Sequence, residues 1–199
     1  QYFCGTHFFN PPRYLKLLEI VPSDKTDKKV ISFLMKYGEK FLGKTTVLCK
    51  DTPAFIANRI GIAGIAALFK LGEDMRMSVD EIDFLTGPII GRPKSATFRT
   101  SDLVGLDTLN SVAEGVYDNC LEDEQRDVFK LPNFIKKMLD NKWLGDKTGQ
   151  GFYKKTKDPK GNRKILSLNF KTFEYKEKTK VRYETITKAK KISNLKKRI

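Results

Sequence analysis

The chain has 199 residues, 40% of them hydrophobic, enough to bury a sizeable core in one or two domains and too apolar for an intrinsically disordered segment. Its formal net charge is +14, with 38 lysines and arginines against 24 acids, and residues 154–199 hold a dense share of the cations. No apolar run approaches the roughly 20 residues that cross a bilayer, and the three cysteines, Cys4, Cys49 and Cys120, form no C-x-x-C pair or metal cluster, so they read as reduced cytosolic thiols.

The first stretch, QYFCGTHFFNPPRYLKLLEIVP, contains the only histidine, His7, near the end of one apolar run, and Glu19 inside the next. Between them Asn10-Pro11-Pro12-Arg13 favours a turn or extended corner. If the runs fold back antiparallel about Arg13, positions 7 and 19 fall opposite, with Cβ atoms roughly 4.5–5.5 Å apart. A carboxylate against an imidazole fixes its tautomer, which suits a general base; it also suits a structural pair at a strand end.

Ser23 or Asp24 to Thr26 offers a helix cap, and Val30, Phe33, Leu34, Tyr37 and Phe41 recur at helical spacing before Gly43. A strand over 45–49 follows, so the opening reads as the tail of an α/β domain. Asp51-Thr52-Pro53 signals a new helix with proline at its first position. Phe55, Ile56, Ile60, Ile62, Ile65 and Leu68 make it apolar nearly all round, which predicts burial. Asn58 is the polar exception in that helix.

Ser78-Val79-Asp80-Glu81 opens a short helix with acids in its first turn. The loop TGPIIGRPKSATFR over 86–99 reads as a surface loop or an anion site. A helix over 102–119 carries Leu103, Leu106, Leu109, Val112 and Val116, and one over 132–141 carries Phe134, Ile135, Met138 and Leu139; both stripes read as core. A glycine-rich turn spans 143–153. Beyond it come a turn at 158–162, ILSLNFKTFEY as a strand pair, and TITKAKKISNLKKRI as a basic helix, the whole of 155–199 reading as a basic connector.

Three motifs in order, GTHFFNPPRYLKLLEIVP at 5–22, KDTPAFIANRI at 50–60 and GDKTGQGFYKK at 145–155, resemble the 3-hydroxyacyl-CoA dehydrogenases of fatty-acid β-oxidation. The resemblance covers about residues 1 to 154 and implies a mainly α chain: a helical domain like the C-terminal domain of 6-phosphogluconate dehydrogenase, preceded by the last strands and helix of a Rossmann-type α/β domain. It divides the chain into 1–50, the remnant of the NAD-binding domain; 51–154, a helical substrate-binding and dimerisation domain; and 155–199, the connector. It makes His7 the base and Glu19 its brace, gives Asn58 a substrate-binding role, and sets Asn10 and Lys147 on the cofactor side; Arg92 or Lys94 would contact CoA.

No G-x-G-x-x-G occurs. With Gln1 standing inside a strand pattern, the chain therefore reads as a segment of a longer protein, its phosphate-binding turn lying upstream and its NAD site incomplete. The implied whole is a cytoplasmic NAD-dependent enzyme acting on acyl-CoA as a homodimer, with no nucleic-acid partner. Two other readings stay open: a non-catalytic helical dimerisation module, and a nucleic-acid-binding protein working through the basic tail.

Overall fold

The structure, a computed structural model, describes residues 1–198; Ile199, the last residue of the expected basic helix, lies outside them. The chain forms two compact units, Gln1–Gly61 and Ile62–Ile199.

The first unit is a βαβ layer with one added strand. Strand β1 (Gly5–Phe8) runs antiparallel to β2 (Leu17–Val21), which runs parallel to β3 (Thr45–Leu48) through the crossover helix α1 (Lys28–Lys40). Leu18, Ile20 and Val21 are buried and supply the unit's apolar centre together with Cys49. Helix α1 packs closely because residue 38 is glycine: a Cβ there would stand 2.7 Å from Thr46 Cγ2. The corner between β1 and β2 is fastened by the Lys44 ammonium, which donates to the carbonyls of Leu15, at 2.7 Å, and Pro12.

One local expectation is corrected here. The cap of α1 is Asp27, whose side chain accepts the amide of Lys29, while Ser23 and Thr26 bond to each other in a preceding turn. Phe33, Tyr37 and Phe41 stack successively along α1 on its solvent side, because Gly38 occupies the face turned to the sheet.

Helix α2 (Ala57–Asp74) begins in the first unit and continues into the second. It starts four residues later than Pro53, since Ala54 and Phe55 adopt left-handed backbone, φ 62° and 51°, which interrupts any helix from Pro53. Nor is it buried all round: Ile62, Ala66, Phe69 and Gly72 form one buried stripe, while Ile60 and Leu71 are exposed.

The second unit continues through α3 (Val79–Leu85), α4 (Phe98–Val104), α5 (Leu106–Asn119) and α6 (Asn133–Asp140). Ser78 and Glu81 close the expected capping box on α3. The single helix expected over 102–119 is two, broken at Gly105, whose φ of 94° no helix accommodates. The core is aromatic: Phe98 meets Phe152 edge-on at 4.4 Å, Phe69 stacks on Phe98 at 5.2 Å, and Phe134 stacks on Phe170 at 4.8 Å.

Phe170 belongs to the stretch read as a connector, and that stretch is built into the fold. Strands β4 (Tyr153–Lys157), β5 (Arg163–Asn169) and β6 (Glu174–Glu177) form an antiparallel sheet. The Ser167 hydroxyl and the Thr179 amide donate to Asp80 Oδ2 of α3, at 2.8 and 2.7 Å. The expected basic helix is two short ones, α7 (Glu184–Ala189) and α8 (Leu195–Arg198). Among the described residues no helix is long and apolar enough to cross a membrane.

Candidate active site

In the antiparallel register of β1 and β2, His7 pairs with Glu19. Opposed residues on a ladder point to the same face, and their side chains meet: His7 Nδ1 lies 2.6 Å from Glu19 Oε2. The Glu19 carboxylate has no exposed surface, whereas the His7 side chain is 29% exposed. With the carboxylate as acceptor, Nδ1 carries the proton and donates, which leaves Nε2 with a free lone pair. The ring is walled by Phe9, edge-on at 4.6 Å between centroids, and by Phe55 at 5.5 Å.

The second oxygen of Glu19 does a job the sequence did not disclose. Oε1 accepts the amides of Ile56 at 3.1 Å and Ala57 at 2.8 Å, capping the start of α2 across 37 and 38 residues of chain. Amides at a helix start have no partner within the helix and carry the positive end of its dipole, so a buried carboxylate is well placed there. Burial presses the Glu19 carboxyl upward, but the hydrogen bonds from His7, Ala57 and Ile56 outweigh it and hold it below the usual glutamate range. Beside it the buried Cys49 thiol is pushed up, by burial first and then by the Glu19 charge.

Asn58 follows Ala57 in the first turn of α2, half-buried. His7, Glu19, Asn10 and Asn58 all belong to the first unit. Asn10 stands exposed in the bend after β1. Lys147 lies in the second unit, in the 3₁₀ turn Asp146–Thr148, and ion-pairs with Asp107. Arg92 and Lys94 are exposed in the loop before α4. The residues that the sequence left out are Phe9, Phe55 and the amides of 56 and 57. Of these only the apolar character of the first two was visible, because the left-handed turn that aims the amides has no glycine to mark it.

Residues 1–52 match the family model described as 3-hydroxyacyl-CoA dehydrogenase, NAD binding domain, and residues 55–155 the one described as 3-hydroxyacyl-CoA dehydrogenase, C-terminal domain. A probable 3-hydroxyacyl-CoA dehydrogenase of Bacillus subtilis is 49% identical over 189 residues, 95% of this chain and 23% of that protein. One of Deinococcus radiodurans is 49% identical over 158 residues, 79% of this chain and 45% of that protein. The chain thus spans less than half the length of either relative. Among solved structures, FadB2 of M. tuberculosis superposes with a TM-score of 0.68 at 29% identity, covering 76% of this chain and 51% of that one. The (S)-3-hydroxybutyryl-CoA dehydrogenase PaaH1 of Ralstonia eutropha gives 0.66 at 28%, covering 75% and 50%. The βαβ layer, the helical unit and the order of the two matched domains agree: this chain belongs to the 3-hydroxyacyl-CoA dehydrogenase family.

Proposed function

We propose that the chain is part of an NAD-dependent L-3-hydroxyacyl-CoA dehydrogenase that oxidises 3-hydroxyacyl-CoA to 3-ketoacyl-CoA in fatty-acid β-oxidation. The observation that carries the proposal is the 2.6 Å bond from His7 to a fully buried carboxylate. It holds the ring in the tautomer whose outer nitrogen can take a proton.

In this reading His7 Nε2 accepts the proton of the substrate's 3-hydroxyl while C3 gives up its hydride. Glu19 stays ionised, keeps the Nδ1 proton in its hydrogen bond and stabilises the imidazolium that forms. The two amides on its other oxygen stop the carboxylate from turning away. Asn58 holds the substrate in line. Phe9 and Phe55 shield the ring from water on two sides.

NAD, when bound, supplies the hydride acceptor. The family resemblance assigns the exposed Asn10 and Lys147, the latter ion-paired with Asp107, to the cofactor side. The 199 residues contain no glycine-rich turn for the pyrophosphate, so they furnish one part of the cofactor site.

The proposal keeps the division of 1–50 as the end of the NAD-binding domain and 51–154 as the substrate-binding and dimerisation domain of the 6-phosphogluconate-dehydrogenase type, with the basic stretch 155–199 packed into the second unit through Phe170. Exposed Ile60 and Leu71 on α2 support a homodimer through the helical part, and the bacterial relatives support a cytoplasmic setting. The test is His7→Ala in a chain carrying the complete cofactor domain. Turnover should fall about 10²–10⁴-fold with little change in NAD affinity; undiminished turnover would reject the assignment.

A further inference from the structure

The second unit holds a cavity of about 500 Å³ between α3, the β4–β5 face and the chain that runs from β6 into α7. That volume is ordinary for a small-molecule site. Phe84, Ile165 and Val181 give it apolar walls. Two acids at its edge are fully committed. Asp83 accepts the amides of Thr97, Phe98 and Arg99 and the Tyr153 hydroxyl, and Asp146 is held by both guanidinium nitrogens of Arg99 at 2.6 Å.

Asp80 differs. It is 4% exposed, and its Oδ2 is satisfied, but Oδ1 is the buried side-chain polar atom without a partner among the described residues. A buried acceptor left unpaired is costly, and Asp80 belongs to the lining of this cavity, so a donor entering it would be favoured there. Five lysines line the same cavity: Lys155 pairs with Asp146 at 3.6 Å, and the others are Lys94, Lys178, Lys180 and Lys190. Lys178 lies over the Tyr153 ring at 5.1 Å and Lys190 over the Phe84 ring at 4.3 Å, while Lys94 and Lys180 make no ion pair among the described residues. Arg99 and five lysines against three aspartates leave the lining net cationic, which attracts anions.

A ligand that meets all these features has a flat apolar body, an N–H donor on its edge and a strongly anionic end. We propose that the cavity binds a nucleotide with an amino-bearing base, the amino group donating to Asp80 Oδ1 and the phosphates lying among Lys94, Lys178, Lys180 and Lys190. The nucleotide could be free or be the end of a larger molecule such as coenzyme A. The inference uses none of the residues assigned to proton transfer and does not depend on them.

Calorimetric titration of the 199-residue chain tests it, with ADP, IDP, coenzyme A and inorganic phosphate as separate probes. ADP should bind saturably, with IDP, whose base has a carbonyl in place of the amino group, and phosphate each weaker by about tenfold or more. Lys94→Glu with Lys180→Glu should weaken ADP by about tenfold or more, and Val181→Trp, which fills the cavity and spares the Asp80 bonds, should abolish binding. Competition between coenzyme A and ADP would assign the nucleotide to the larger molecule; binding of ADP alone would assign it to a free nucleotide. Absence of saturable ADP binding up to about 5 mM, equal binding of IDP, or binding untouched by the two cavity variants would overturn the proposal.

Discussion

Gly151 lies against the carboxylate of Asp102 so closely that a Cβ on it would stand 2.1 Å from Oδ1. Asp102 is 1% exposed, and its oxygens accept the amides of Phe152 and Tyr153, both at 2.8 Å, at the point where the glycine-rich turn enters β4. Neither the carboxylate nor the backbone can yield. Gly151→Ala should therefore destabilise the second unit by about 3 kcal/mol, read as a lowered urea midpoint; an unchanged midpoint would show that the turn relaxes.

Burial pushes the Asp102 carboxyl up to about 6, against the two amides that favour its charge. An acid bound more tightly to its proton in the folded state contributes stability that is fully present below the unfolded value near 3.9 and lost as pH rises through about 6. The difference of about two pH units corresponds to about 3 kcal/mol. Stability measured against pH should thus fall between about pH 4 and 6 in the native chain, and Asp102→Asn should flatten that slope.

Glu19 has the opposite sign. Its folded value is depressed, so its contribution is present above the ordinary glutamate value, about 4.3, and fades as pH drops below it. Glu19→Gln removes the charge that both the His7 ring and the start of α2 use. It should cost about 1–3 kcal/mol at neutral pH and abolish the acid limb of the stability profile assigned to this group.

Phe170 tests whether residues beyond 155 are part of the fold. It is 5% exposed and stacks on Phe134 within the aromatic core. Phe170→Ala should cost about 3–5 kcal/mol in the second unit, where an exposed linker residue would cost almost nothing.

The pairing of His7 with Glu19 was legible because a proline corner and period-two alternation fix register over so short a hairpin. The capping box at Ser78 and the strands at 45–48 and 163–177 were legible for the same reason, as local chemistry writes them into adjacent residues. What escaped was long-range. Glu19 reaches 38 residues ahead to Ala57, Asp83 reaches 16 to Arg99, and Asp102 reaches 51 to Tyr153. Each is a carboxylate holding the amides of a later turn, and nothing around an acid in sequence says which distant backbone it will meet. The late start of α2 follows from left-handed backbone at Ala54 and Phe55, and the break at Gly105 from a backbone angle that a single glycine among apolar residues did not announce.

Because the chain has one histidine, its imidazole nitrogens give a single, unambiguous pair of ¹⁵N resonances. Long-range ¹H–¹⁵N correlation of His7, at a pH where the ring is neutral, reports which nitrogen bears the proton. The account predicts a protonated Nδ1 and a bare Nε2, switching or averaging in Glu19→Gln; a proton on Nε2 in the native chain would contradict it.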